Sequence, residues 1–188
     1  MNSLLVTYIL QTEKWTSPEL FETKNRIYTF LNPVSYLIAL ENKSLFEQFD
    51  GIFADGSLLV SAIRLVYGKR VTRRSFDMTS LAPELLNYLM ESRKTLYIVA
   101  SGQEQVECSV RIFQEQYPKL RIAGFRNGYF SSDAEMNKEA SHIVELNPDF
   151  LIVGMGALMQ EKFLLKVKKM GYQGIGFTCG GFVHQTAM

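Results

Sequence analysis

Two short stretches of this chain set acid or amide side chains beside glycine and a third gathers cations, a combination suited to holding phosphates and moving protons. In "DFLIVGMGALMQEKF", Asp149 to Phe163, an apolar run ends at Gly154 and Gly156, and Gln160-Glu161 then opens an amphipathic segment. Glycine lets a ligand approach the backbone, and a helix start offers free N–H groups and its positive dipole end to an anion. The stretch begins like GxGxxG, but the third position is Met159, and the next apolar run, Gly174 to Thr178, contains no acid to hold a ribose. A dinucleotide fingerprint is therefore not met, and no GxxxxGK(S/T) loop is present. Two glycines alone read more often as a strand-to-helix turn than as a phosphate cradle; Gln160 and Glu161 at the mouth add some weight to the cradle.

The second stretch is "DGIFADG". Asp55 follows Ile52-Phe53-Ala54 and precedes Gly56, so it should project from the top of a sheet, partly desolvated. Partial burial would raise such a carboxyl towards a useful general base for a substrate hydroxyl. Capping a helix over Ser57 to Tyr67 would suit the same residue equally well. The third stretch, "KRVTRRSFD", holds Lys69, Arg70, Arg73 and Arg74, either a solvated surface or a phosphate contact. Lys162, Lys166, Lys168 and Lys169 read as the wet face of one helix, and His142 as structural. No two aspartates stand two apart, so there is no DxD metal–diphosphate clamp, and no Ser-His-Asp or Cys-His arrangement is supported.

These residues need a scaffold. "RIYTFLN" reads as an aromatic-rich strand, after which Asn32-Pro33 is a good helix start. A short strand at Ile52 is followed by a helix over Ser57 to Tyr67, with Gly68 as its left-handed stop. A helix from about Ser80 to Arg93 leads to "TLYIVA", the clearest buried strand, which runs through Ser101-Gly102 into another helix. "RIAGFRNGYF" is a strand plus a glycine turn. Ser132 or Asp133 caps the next helix, and strands at Phe150 to Val153 and Gly174 to Thr178 flank a helix over Glu161 to Met170. Short apolar strands alternating with longer helices predict parallel βαβ units. The fold class is therefore α/β, a three-layer Rossmann-like domain with a mainly parallel sheet. Ligands in such folds sit beyond the carboxyl ends of the strands. Those ends are Asn32, Asp55-Gly56, Ser101-Gly102, Asn127-Gly128-Tyr129, Gly154-Met155-Gly156 and Cys179-Gly180-Gly181.

Composition sets the outer bounds. The 188 residues, 47% hydrophobic and 21% charged, suit one globular domain over 1–188. A formal net charge of +1 gives no electrostatic reason to expect nucleic acid. Cys108 and Cys179 stand far apart, a poor inventory for zinc or disulfides and one that fits a reducing compartment. The apolar stretch Leu4 to Leu10 lacks a basic segment before it and does not read as a signal peptide. No run reaches the roughly 18 apolar residues of a membrane span.

The ordered motifs "TFLNPVSYLIA", "FDGIFADG", "RRSFDMTSLAP", "FRNGYF", "NPDFLIVGMGALMQEKF" and "GFTCGGFVHQTA" resemble the WecG/TagA/CpsF family of bacterial glycosyltransferases, glycosyltransferase family 26. The resemblance runs from about Ile27 to the last residue. It implies inverting transfer of an N-acetylmannosamine-type sugar from a UDP donor to a sugar on an undecaprenyl-diphosphate carrier. Such steps serve enterobacterial common antigen, wall teichoic acid or capsular polysaccharide synthesis. It further implies no cofactor or metal, peripheral contact with the inner face of the cell membrane, and homo-oligomers.

Matched by motif, Asp55 is the implied general base, with Thr29 and Asn32 as further catalytic residues. Arg74, Asp77, Gly102, Asn127, Gly128, Tyr129, Gly154, Gly156, Gln160 and Glu161 are implied to bind substrate. Phe30 and Leu31 separate Thr29 from Asn32 where many members have one residue, and Leu158-Met159 stands where many have Pro-Lys. Family members continue past "HQTA" through an arginine-rich segment, so the resemblance implies a domain lacking that membrane-contacting part. A different nucleotide-using Rossmann enzyme and a non-catalytic nucleotide-binding subunit are the competing readings.

Overall fold

The computed structural model describes residues 4–188. Its centre is a six-stranded sheet built from β1 (Arg26–Leu31), β2 (Gly51–Ala54), β3 (Thr95–Ala100), β4 (Arg121–Arg126), β5 (Phe150–Gly154) and β6 (Ile175–Thr178). The spatial order is β2-β1-β6-β5-β3-β4, and every neighbouring pair is parallel. The mainly parallel sheet read from the sequence is wholly parallel. Strands β1, β2, β3, β5 and β6 are buried almost throughout because helices cover both faces. β4 differs: it is an edge strand with residues alternately exposed and half-buried, so its apolar content is not core content.

Helices α1 (Leu4–Thr12) and α2 (Ser17–Glu22) precede the sheet, α3 (Pro33–Glu41) and α4 (Lys43–Phe46) join β1 to β2, and α5 (Ser57–Tyr67) and α6 (Leu81–Ser92) join β2 to β3. The remaining helices are α7 (Gln103–Gln116), α8 (Asp133–Leu146), α9 (Met159–Lys169) and α10 (Phe182–Thr186). One apolar cluster joins α2, α6, α7 and α10 to the side chains of Tyr28, Phe30, Ile98 and Phe177 on one sheet face. The other joins α1, α3, α4, α5, α8 and α9 to Ile27, Leu31, Val99 and Leu151 on the opposite face. This is the expected three-layer arrangement. The apolar segment near the N-terminus, read above only as not being a signal peptide, is α1, whose Leu5, Val6 and Ile9 are fully buried.

Local chemistry sets the helix starts that matter for function. The Asn32 side chain accepts from the N–H groups of Val34 and Ser35 at 3.0 and 2.9 Å, and Pro33 occupies the first helical position of α3. α5 is preceded by Gly56 in positive φ and closed by Gly68 at φ 64. The connection from β3 through α7 leads outward to β4, whereas the one from β5 through α9 leads the other way to β6. The loops after β3 and β5 therefore diverge and open a crevice above the sheet.

Candidate functional site

A cleft of about 1020 Å³ lies along the carboxyl ends of the strands. Of the residues expected there, Asn32, Asp55, Asp77, Gly102, Gly128, Tyr129, Gly154, Gly156 and Gln160 line it. Thr29, Arg74, Asn127 and Glu161 do not, for three different reasons.

Thr29 and Glu161 lie beneath the floor. Thr29 faces α9 from β1, and Thr178 does the same from β6, since both strands alternate side chains between faces. The Thr178 hydroxyl donates to Thr29 Oγ1 at 2.9 Å, and Thr29 Oγ1 donates to Glu161 Oε1 at 2.9 Å. Gln160 Nε2 donates to the same carboxylate oxygen at 2.9 Å, while the Leu158 N–H donates to Glu161 Oε2 at 2.7 Å. Glu161 is 0% exposed. Burial pushes its carboxyl above the ordinary value, against the opposing pull of the hydrogen bonds from Gln160, Thr29 and Leu158. The network surfaces through Gln160, whose Oε1 accepts from the Gly180 N–H at 3.1 Å. Glu161 thus sets the Gln160 amide, and Gln160 sets the loop after β6.

The turn after β5 brings Gly154 against the loop after β6. A Cβ on Gly154 would lie 2.6 Å from the Gly180 carbonyl oxygen and 2.8 Å from Cys179 Sγ, so only glycine fits between these two loops. Gly156 has φ 82 and Leu158 φ 73; Ser101, across the crevice, has φ 54. Left-handed backbone at two non-glycine residues is strain held at the walls of the cleft. Ser101 ties the walls together, its N–H donating to Gly154 O at 3.0 Å and its carbonyl accepting from Gly128 N at 2.8 Å. Cys179 lines the cleft, but burial pushes its thiol up to about 12, which leaves it protonated and a poor nucleophile.

At the other end, Asp55 is half-buried and accepts a hydrogen bond from the Ser75 hydroxyl. It does not cap α5, whose N-cap is Gly56 without a side-chain bond. The capping role open to Asp55 on pattern is not taken up, and its side chain stands at the cleft wall. Asp77 also lines the cleft, but its carboxylate is held by Arg73 at 2.6 Å and by the Thr79 N–H and hydroxyl at 2.8 and 2.7 Å.

Arg74 points away. Its guanidinium lies 5.1 Å above the Phe53 ring and donates to the Trp15 carbonyl at 2.9 Å, on the sheet face opposite α9. Arg74, implied by the resemblance to bind substrate, does not reach the cleft wall in this geometry. Asn127 acts one step back: its Oδ1 accepts from Tyr129 N at 2.9 Å and its Nδ2 donates to Gln103, shaping the Gly128-Tyr129 turn.

Sequence reasoning missed Ser75, Thr178 and the α10 residues His184 and Gln185, all but Ser75 on the cleft wall. Ser75 lay inside a quoted motif but beside four cations that drew attention first. Among the described residues no three His, Cys, Asp or Glu side chains converge as a metal site would need.

The sequence matches the profile of the Glycosyl transferase WecG/TagA/CpsF family over residues 10–187. The match begins upstream of Ile27, where the motifs begin, and takes in α2. A Shigella boydii protein named UDP-Gal:alpha-D-GlcNAc-diphosphoundecaprenol beta-1,4-galactosyltransferase is 33% identical over 161 residues, covering 86% of this chain and 67% of the relative. A Bacillus subtilis N-acetylglucosaminyldiphosphoundecaprenol N-acetyl-beta-D-mannosaminyltransferase is 23% identical over 185 residues, covering 96% of this chain and 69% of the relative. A Staphylococcus aureus protein of the same name is 25% identical over 146 residues, covering 76% and 56%.

Proposed function

The chain belongs to the WecG/TagA/CpsF family of glycosyltransferases, and from that premise we propose that it transfers a hexosyl group from a UDP-sugar to a sugar on an undecaprenyl-diphosphate carrier, with inversion. The observation that carries the assignment of roles is the cleft's sparse acid inventory. Among the described residues only Asp55 and Asp77 bring carboxylates to its wall. Asp77 is occupied by Arg73 and Thr79, which leaves Asp55 to accept the proton of the acceptor hydroxyl. The freed oxygen attacks the anomeric carbon as the bond to the diphosphate breaks on the opposite face.

Charge builds on the leaving UDP, and the amides at the starts of α7 and α9 and of Gly181 suit its stabilisation, without a metal or other cofactor. Gly128 and Tyr129, positioned by Asn127, flank the place for the nucleoside. Asn32 stands beside Asp55 at the acceptor end, because β1 and β2 pair Leu31 with Ala54 just before these two residues. Thr29 and Glu161 act from below by holding Gln160.

The relatives' names divide on the sugar. An N-acetylhexosamine such as N-acetylmannosamine agrees with the Bacillus and Staphylococcus proteins. The 33% identity to the Shigella galactosyltransferase favours galactose as the second candidate. A lipid-borne acceptor also places the reaction at a membrane surface. No described helix is long and apolar enough to cross one.

The test is Asp55→Asn, assayed with UDP-galactose and UDP-N-acetylmannosamine on a GlcNAc-diphospholipid. UDP binding by calorimetry should stay near that of the wild type, while transfer falls by about 10²–10⁴-fold. Wild-type turnover in the variant would remove Asp55 from the chemistry.

A further inference from the structure

α5 has two apolar faces. Leu59 and Ile63 pack inward against the sheet. The opposite stripe, Leu58, Ala62 and Leu65, repeats at helical spacing yet faces water, and Leu65 is 88% exposed. Val66 flanks this stripe at 69% exposure, and the N-terminal turns of α3 add Val34 and Leu37 at 67% and 63%. A surface helix of a globular protein normally carries polar residues there. Asp55 N donates to Leu31 O at 2.8 Å, so α3 and α5 begin side by side at the acceptor end of the cleft.

Charge is segregated in the same region. Between Asp55 and Asp77 the sequence has five cations and no acid, in a chain of net charge +1. Arg73 is paired with Asp77 and Arg74 is turned inward. Arg64, Lys69 and Arg70 are exposed and form no ion pair among the described residues.

We propose that the outer face of α5, with the first turns of α3, docks on an anionic lipid bilayer and holds the acceptor end of the cleft against the headgroups. The inference rests on the lipid-linked acceptor proposed above and assigns the surface that meets the lipid. An apolar stripe bordered by cations suits a helix lying in the headgroup plane, its leucines in the acyl boundary and its cations among anionic phosphates. A second copy of this chain fits less well. A twofold contact through this stripe brings Arg64, Lys69 and Arg70 near their own symmetry mates.

The experiment is cosedimentation with sucrose-loaded phosphatidylcholine vesicles, with and without one-third phosphatidylglycerol. It compares the wild type, a Leu65→Glu/Val66→Glu variant and an Arg64→Gln/Lys69→Gln/Arg70→Gln variant. Thermal melts, sedimentation velocity and UDP calorimetry accompany each. The wild type should bind the anionic vesicles, and the glutamate variant should lose at least about ten-fold in partitioning. The glutamine variant should lose about five-fold per cation on anionic vesicles alone. Melting and UDP binding should be unchanged, since none of these residues lines the cleft. A wild type that ignores vesicles, variants that bind as it does, or a wild-type dimer dissolved by Leu65→Glu would each overturn the proposal. Absence of UDP binding in the wild type would strike the donor site instead and leave the vesicle result standing.

Discussion

The two ends of the cleft hold their carboxylates in opposite ways. At the β5–α9 turn, Glu161 is wholly enclosed and takes hydrogen bonds from Thr29, Gln160 and the Leu158 amide. At the end of β2, Asp55 is half-open, and the Ser75 hydroxyl is its one side-chain donor. A carboxyl enclosed beneath the cleft floor is out of reach of a substrate hydroxyl, so its value is geometric. One left open to a cleft has a lone pair to spare. The difference separates a residue that shapes the site from one that works in it, and the sharpest way to break it is to exchange the consequences.

Glu161→Ala should be the larger structural lesion. It strands Thr29, Gln160 and a backbone N–H in a buried space, and each buried donor left unpaired costs about 1–3 kcal/mol. Denaturant unfolding would read this directly. Asp55→Asn should change stability by no more than about 0.5 kcal/mol while removing transfer. If both variants melted alike, the distinction between the two ends would fail.

Gly154→Ala probes the contact between the turn and the loop after β6. The added methyl would meet the Gly180 carbonyl oxygen and Cys179 Sγ, both closer than 3 Å. Overpacking of this kind costs about 1–3 kcal/mol. Because Gly180 also anchors Gln160, UDP affinity should fall with stability. A variant that lost stability and kept full UDP affinity would show that the loop contact does not shape the donor site.

The pH dependence of folding sharpens the contrast further. Glu161's carboxyl is raised above the ordinary 4.5 by burial, so the folded state holds its proton more tightly than the unfolded chain. The stabilisation is complete below the unfolded value and is lost as pH rises through the folded one. In that window stability should drop by up to about 1.4 kcal/mol per pH unit. The slope should vanish in Glu161→Gln, and an unchanged slope there would assign it to another group.

How much of this was legible depended on burial on one face or two. Strands β3 and β5 announced themselves as continuous apolar runs because both faces are covered, whereas β4 reads much the same in sequence and is a half-exposed edge. The glycine turn and Asp55 could be placed because strand ends are marked by the residues that stop them. Glu161 could not be placed as deeply as it lies. A charged residue opening an amphipathic helix reads as solvent-facing, and only Thr29 and Thr178, interrupting two apolar strands on the same face, hinted at a polar partner beneath the sheet ends. Arg74 could not be placed for the opposite reason. A cation among cations looked free, but Trp15, from a stretch assigned no role, holds it on the far face of the sheet.

The smallest test bears on the open carboxylate itself. Ser75→Ala removes the hydroxyl that donates to Asp55 Oδ1 and leaves the backbone bond from Arg74 N to Ala54 O, which holds the loop beside β2, in place. The lost hydrogen bond should cost about 0.5–1.5 kcal/mol of stability. If Ser75 serves to aim the carboxylate, kcat should fall several-fold with KM for the UDP-sugar unchanged, because Asp55 stands at the acceptor end and its misplacement weakens proton transfer rather than donor binding. Ser75→Thr, which keeps the hydroxyl, should restore most of the rate. A Ser75→Ala enzyme with full kcat would mean that Asp55 needs no support. The acceptor end would then be looser than the donor end in function as well as in structure.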